Sequence, residues 1–186
     1  MSDLRDEVYE AMVELRPLVE ERIYEWLAAN PGHQPPSGVP LTTGFCRGVA
    51  AGVELILREM FPDCYWRVAG GFGVEYCTDR PDNLGDFADL DLFPGGMVND
   101  DDEWHGHFWV TGGDPDGDEG VIVDLSADQF GHEPIVVTDS ADVRYRENCL
   151  LGPHEKIRLS EHAWGTSLHG MWHVARKNAA PQQAFA

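Results

Sequence analysis

The chain has 186 residues, with 33 acidic against 13 Lys and Arg side chains, a formal net charge of −20 at pH 7 and 42% hydrophobic residues, six of them Trp. That apolar content supplies a core, which excludes general disorder, and the length fits one domain. Charge of this sign repels phosphate, so nucleic acid and anionic membranes are excluded as expected partners.

Residues 1–30 read as an N-terminal helical segment. Val8, Met12, Leu15, Val19, Ile23 and Trp26 recur near the 3.6-residue period across 3–29, and Pro17 is expected to kink or split the helix near Arg16. The acidic start MSDLRDEVYE is unlike a secretory leader. The longest nearly apolar run, 49–57, is short and carries Glu54, so no membrane span is expected. The four Cys (46, 64, 77 and 149) form no CxxC pair, which fits a reducing, cytoplasmic compartment and no zinc finger.

Residues 31–176 read as the core of the chain. The stretch 30–44 is rich in Pro, Gly and small polar residues and is expected to be a loop. A second helix is expected over 45–60, with Val49, Val53, Ile56, Leu57 and Met60 on its apolar face. Beyond Pro62 the period changes to two, and YWRVAGGFGVEY, HGHFWV, GVIVDLS and IVVT read as strands, with VRYRE as a fifth. Residues 79–103 read as an acidic excursion, 112–120 as the loop of a hairpin, 160–176 as a helix capped by Ser160, and 177–186 as a flexible tail. Helices followed by strands define the α+β class.

The sharpest chemical feature is TTGFCRGVAAGVE, which places Cys46 at the start of the second helix. Unsatisfied N–H groups and the positive helix end favour thiolate there and can donate to an oxyanion beside the sulfur. Thr and Gly upstream are read as cap and turn. A thiol nucleophile needs a base, and the base needs an orienting acid. His107 and Asp124 lie on strands joined by the expected hairpin, and a carboxylate flanked by Ile122, Val123 and Leu125 needs a partner. His107 Nδ1–H is the expected one.

A Cys opening a helix after Phe45, then HFWV, then VIVDLSADQF, resembles the transglutaminase-like branch of the papain-like cysteine enzymes over about residues 43–138. The resemblance implies a central helix packed on an antiparallel sheet, with Cys46 as nucleophile, His107 as general base and Asp124 as its orienting carboxylate. It implies a cysteine hydrolase or acyltransferase that acts on a protein, peptide or small amide through an acyl-enzyme, without a cofactor. The chain departs from the papain branch in its oxyanion donor. The only Gln upstream of Cys46 is the distant Gln34, so Gln129 and the Cys46 N–H are the candidates, with Trp109 and His105 as further substrate-side residues.

Blander readings stand beside these. Cys46 alone reads as a buried thiol. His105 and His107, alternating on one strand face, form an HxH pair that can bind a metal with Asp124 or Glu103, but the plainer reading makes His105 a partly exposed neighbour and His107 the functional residue, and no metal is expected. Asp114, Asp116, Asp118 and Glu119 resemble a calcium loop but lack its closing Glu, and read as a solvated turn. An inactive binding or inhibitory protein of the same fold, or an acidic decoy for DNA, is the alternative to an enzyme.

Overall fold

The computed structural model describes residues 4–71, 95–115, 120–148 and 159–179. Among these, two helices pack on a four-stranded sheet and a third packs against those helices, with a second, three-stranded sheet beside the first, an α+β arrangement. The helices are α1 (Leu4–Ala29), α2 (Cys46–Met60) and α3 (Leu159–Ala179). The strands are β1 (Tyr65–Gly71), β2 (Gly96–Val98), β3 (Trp104–His105), β4 (His107–Gly113), β5 (Gly120–Asp124), β6 (Val136–Asp139) and β7 (Tyr145–Arg146).

α1 runs unbroken through Pro17, contrary to the split expected there. A helix-interior proline costs about 3 kcal/mol, whereas each fully buried aliphatic side chain stabilises by about 1.5–3 kcal/mol. Val8, Met12, Leu15, Val19, Ile23 and Leu27 are all buried on one face, so burial outweighs the break. Leu27 takes the innermost position at that end, and Trp26 lies half-buried beside it. The same core holds residues of α2, α3 and the large sheet, so α1 is a layer of this core.

The large sheet is antiparallel throughout, in the order β1-β4-β5-β6. Phe108, Val110, Val121, Val123 and Leu125 belong to the core shared with the helices, while Trp109, Ile122 and Val136 belong to a second cluster with Met97 and Tyr145. The alternation is the two-residue period of a strand expressed as two cores, one per face. The second sheet, ordered β3-β2-β7, supplies Met97 and Tyr145 to the smaller core.

Four sequence expectations change here. Pairing of β4 with β5 continues to Gly113 opposite Gly120, so the connection is 114–119 and not 112–120. A Cβ on Gly112 would lie 2.1 Å from the Tyr65 carbonyl oxygen, which explains why loop-like glycines sit inside a strand. The excursion at 79–103 contains β2, although 72–94, and with them Cys77, lie outside the described residues. The stretch 30–44 includes a 3-10 turn at Pro31–His33, and Ser160 lies within the first turn of α3, not at its cap. Residues 116–119, Cys149 and 180–186 also lie outside the described set, so most of the calcium-like loop and the tail do too.

α2 and α3 lie side by side and run the same way. Gly48 abuts Trp164, Gly52 abuts Gly165 and Leu168, and Glu59 meets His169. Both N-termini therefore arrive at the same end of the molecule.

Candidate active site

Cys46 is the first residue of α2, and Phe45 is its N-cap, without a side-chain capping bond. The Thr-Gly pair upstream does other work. Gly44 adopts φ +83°, a turn that favours glycine, and the Thr42 carbonyl accepts the Phe45 N–H at 2.9 Å. The first bond of the helix ladder runs from Val49 N–H to Phe45 O, so the amides of Cys46, Arg47 and Gly48 have no acceptor within the helix.

His107 opens β4 and Asp124 closes β5. Val110 pairs with Val123, so His107 stands diagonally across from Asp124 on the same face. His107 Nε2 and Asp124 Oδ2 are 2.6 Å apart, with both side chains fully buried. The carboxylate thus sits on Nε2 rather than on the expected Nδ1. Cys46 acts on the same imidazole and favours its protonated form. With Nε2 committed to Asp124, the other ring nitrogen, Nδ1, has Gln129 Nε2 at 3.4 Å.

Asp124 is held from three further sides. The Ser126 N–H and Oγ–H donate to Oδ1 at 2.8 and 3.0 Å, and the Tyr145 hydroxyl donates to Oδ2 at 3.1 Å. Burial works against charge at both members of the pair, and the partners outweigh it. For His107, burial would lower the pKa, but the charge and hydrogen bond of Asp124, aided by Cys46, raise it to about 10. For Asp124, burial would raise the pKa, but His107 and the two Ser126 donors hold it below its ordinary value. Burial and the Asp124 charge both push the Tyr145 phenol up, so it stays a donor.

A cleft of about 490 Å³ opens over Cys46. Trp26, Phe45, Phe108 and Trp164 give it aromatic walls, and Arg47, Glu161 and Gly106 complete its rim. The Arg47 guanidinium lies 4.4 Å from the Phe108 ring centre and 3.6 Å from Glu161 Oε1. The parallel N-termini of α2 and α3 both reach this cleft and turn their positive helix ends toward it.

The remaining sequence candidates fall elsewhere. Gln129, in the 3-10 turn Ala127–Phe130, places Nε2 3.4 Å from His107 Nδ1 and donates to Ser126 O at 2.8 Å; it does not line the cleft. Trp109 packs behind the site, stacked 6.1 Å from His107 and edge-on to Tyr145. His105 and His107 do not share a strand face. Gly106 separates β3 from β4, and His105 pairs with Asn99 at 2.9 Å in the smaller sheet. Phe130 packs against both imidazoles and spaces them, so the alternative reading of an HxH metal pair gains no support.

Sequence reasoning missed Ser126, Tyr145 and the anchor beneath them. Arg16 is buried, donating to Leu125 O at 2.7 Å, Pro134 O at 2.8 Å and Asp128 Oδ2 at 2.8 Å. The other Asp128 oxygen accepts the Thr42 hydroxyl, so one guanidinium ties α1 to the segment after Asp124 and to the loop before Cys46. Ser126 had a signal, since Asp-x-Ser closes a local side-chain turn. Tyr145 and Arg16 had none, because their partners are distant in sequence. No family model, curated protein or solved structure matches this chain.

Proposed function

We propose that Cys46, His107 and Asp124 act as the catalytic triad of a cysteine enzyme that cleaves or transfers the acyl group of an amide or thioester. One observation carries this reading: a buried His–carboxylate pair holds its imidazole against a thiol at a helix N-terminus, at the floor of an open cleft. Buried ion pairs are costly to keep, and a structural role would not call for a thiol beside this one. A Cys-bearing helix packed on an antiparallel sheet is also what a transglutaminase-like, papain-like core implies.

In this scheme His107 holds the proton given up by the Cys46 thiol, the sulfur attacks the carbonyl carbon, and the C–S bond forms as the C=O electron pair moves to oxygen. First-turn amides of α2 donate to that oxyanion. As the carbonyl re-forms, the C–N bond breaks and His107 delivers its proton to the leaving amine. His107 then takes a proton from water or from an acceptor amine, which attacks the acyl-enzyme and releases Cys46. Asp124 keeps the ring oriented throughout, with Ser126 and Tyr145 holding Asp124. The aromatic walls suit an apolar side chain of a peptide or small amide substrate. A free-thiol nucleophile also fits a reducing compartment.

Iodoacetamide labelling tests this directly. Cys46 should be alkylated faster than the other three thiols. Cys64 in particular is disfavoured, because burial and the charges of Asp114 and Asp63 push its thiol pKa up. His107→Ala should slow Cys46 alkylation at least tenfold, with Cys64 unchanged. Equal, slow labelling of all four thiols would end the proposal.

A further inference from the structure

We propose that Glu59, His169 and His173 form a binding site for a divalent transition-metal ion of the zinc class, clipping the end of α2 to α3. His169 and His173 are four apart on α3, which puts both imidazoles on one helical face, and Glu59 occupies the last turn of α2. Their Nε2 atoms lie 3.0 and 3.1 Å from the same oxygen, Glu59 Oε2. The three donor atoms all fall within 4.8 Å of one another, and among the described residues this is the group that gathers three such donors.

The spacing is that of ligands around a small ion. Bonds of 2.0–2.2 Å in a tetrahedral site put neighbouring donors about 3.3 Å apart. Two edges of the triangle are already within a few tenths of an ångström of this, and only the edge between the imidazoles has to close. Two imidazoles and one carboxylate suit zinc, nickel or copper rather than calcium or magnesium, which take oxygen ligands. His169 is held by stacking on the buried Trp172 ring, 5.9 Å away and 17° from parallel, so one ligand is oriented in advance. All three side chains keep contact with solvent, which gives an ion a route in and leaves a position for water.

A pair of His–Glu ion pairs is the competing account of the same contacts. It leaves two ring N–H groups converging on one oxygen, whereas a cation at the centre would be bound by lone pairs of that oxygen and of one nitrogen from each ring. Glu59 lies thirteen positions after Cys46 along α2, about 20 Å of helix rise. The ion would therefore brace the two helices that form the cleft without entering it, and the inference stands whether or not Cys46 is a nucleophile.

Zinc chloride titrated calorimetrically into the full chain, freed of metal by chelator, should show one equivalent bound and a raised melting temperature. His173→Gln and His169→Gln should each weaken binding by about tenfold or more and abolish the melting shift. His173 is only partly buried, so its variant should keep the wild-type circular dichroism, and Glu59→Gln gives an independent third variant. Cobalt(II) should give d–d absorption without a thiolate-to-cobalt charge-transfer band. Absence of binding, equal binding by all three variants, or a thiolate band would each overturn the site.

Discussion

At the scale of single residues, the site turns on one buried imidazolium–carboxylate pair. Removing one partner leaves the other charge buried and unpaired, so Asp124→Ala should lose about 3–5 kcal/mol of unfolding free energy in urea titrations. Tyr145→Phe removes one donor to that carboxylate and should cost about 1.5–3 kcal/mol, with slower Cys46 alkylation. The pH dependence follows from the two shifts. His107 is raised from 6.5 to about 10, so its contribution is complete below 6.5 and is lost as pH rises through about 10. Asp124 is lowered from 3.8, so its contribution is present above 3.8 and is lost as pH falls through the depressed value. The stability advantage of wild type over the His107→Gln/Asp124→Asn double variant should therefore shrink between pH 6.5 and 10. An advantage that is flat across that window would contradict the pairing. The pair itself was legible, because an Asp in an apolar strand announces a buried partner. The ring nitrogen was not, since it depends on which end of each strand meets the helix.

At the scale of elements, the helices were the most legible because each has a long apolar stripe. What the stripe does not encode is how closely two helices approach. α2 and α3 meet at Gly52 and Gly165, where a Cβ on Gly165 would lie 2.7 Å from Gly52 N and 2.9 Å from the Ala51 carbonyl carbon. Those neighbours are backbone and cannot swing aside. Gly165→Ala should therefore destabilise by about 1–3 kcal/mol, overpacking outweighing the ~1 kcal/mol gain in helix propensity. Gly170, on the same helix, has open space where its Cβ would stand. Gly170→Ala should stabilise by about 0.5–1 kcal/mol. Opposite signs for one substitution on one helix, read from thermal melts, would locate the close contact. Like signs would refute it. The break at Gly106 belongs to this scale as well. HGHFWV has an unbroken strand pattern in sequence, and only the capture of His105 by β2 assigns its two imidazoles to different sheets.

At the scale of the whole molecule, the charge of −20 and the buried pair should respond differently to salt. The smaller sheet and the Arg16 anchor were illegible in sequence, because short strands and single side chains joining segments more than 100 residues apart leave no periodic trace. The charge was plain, and the structure distributes it. On α1, Asp6, Glu7, Glu10, Glu14, Glu21 and Glu25 are all exposed. Asp6–Glu10, Glu10–Glu14 and Glu21–Glu25 stand four apart, where like charges each destabilise a helix by about 0.2–0.5 kcal/mol. Salt screens such surface repulsion, with a screening length near 10 Å at 0.1 M ionic strength, but scarcely reaches a fully buried pair. Raising sodium chloride from about 0.01 M to about 0.5 M, on either side of that screening range, should therefore increase the melting temperature. The alkylation rate of Cys46 by neutral iodoacetamide should stay nearly constant over the same range, because its His107–Asp124 partner is shielded from ions. A rate that falls in step with rising salt would mean that the acidic surface, and not the buried pair, controls the thiol.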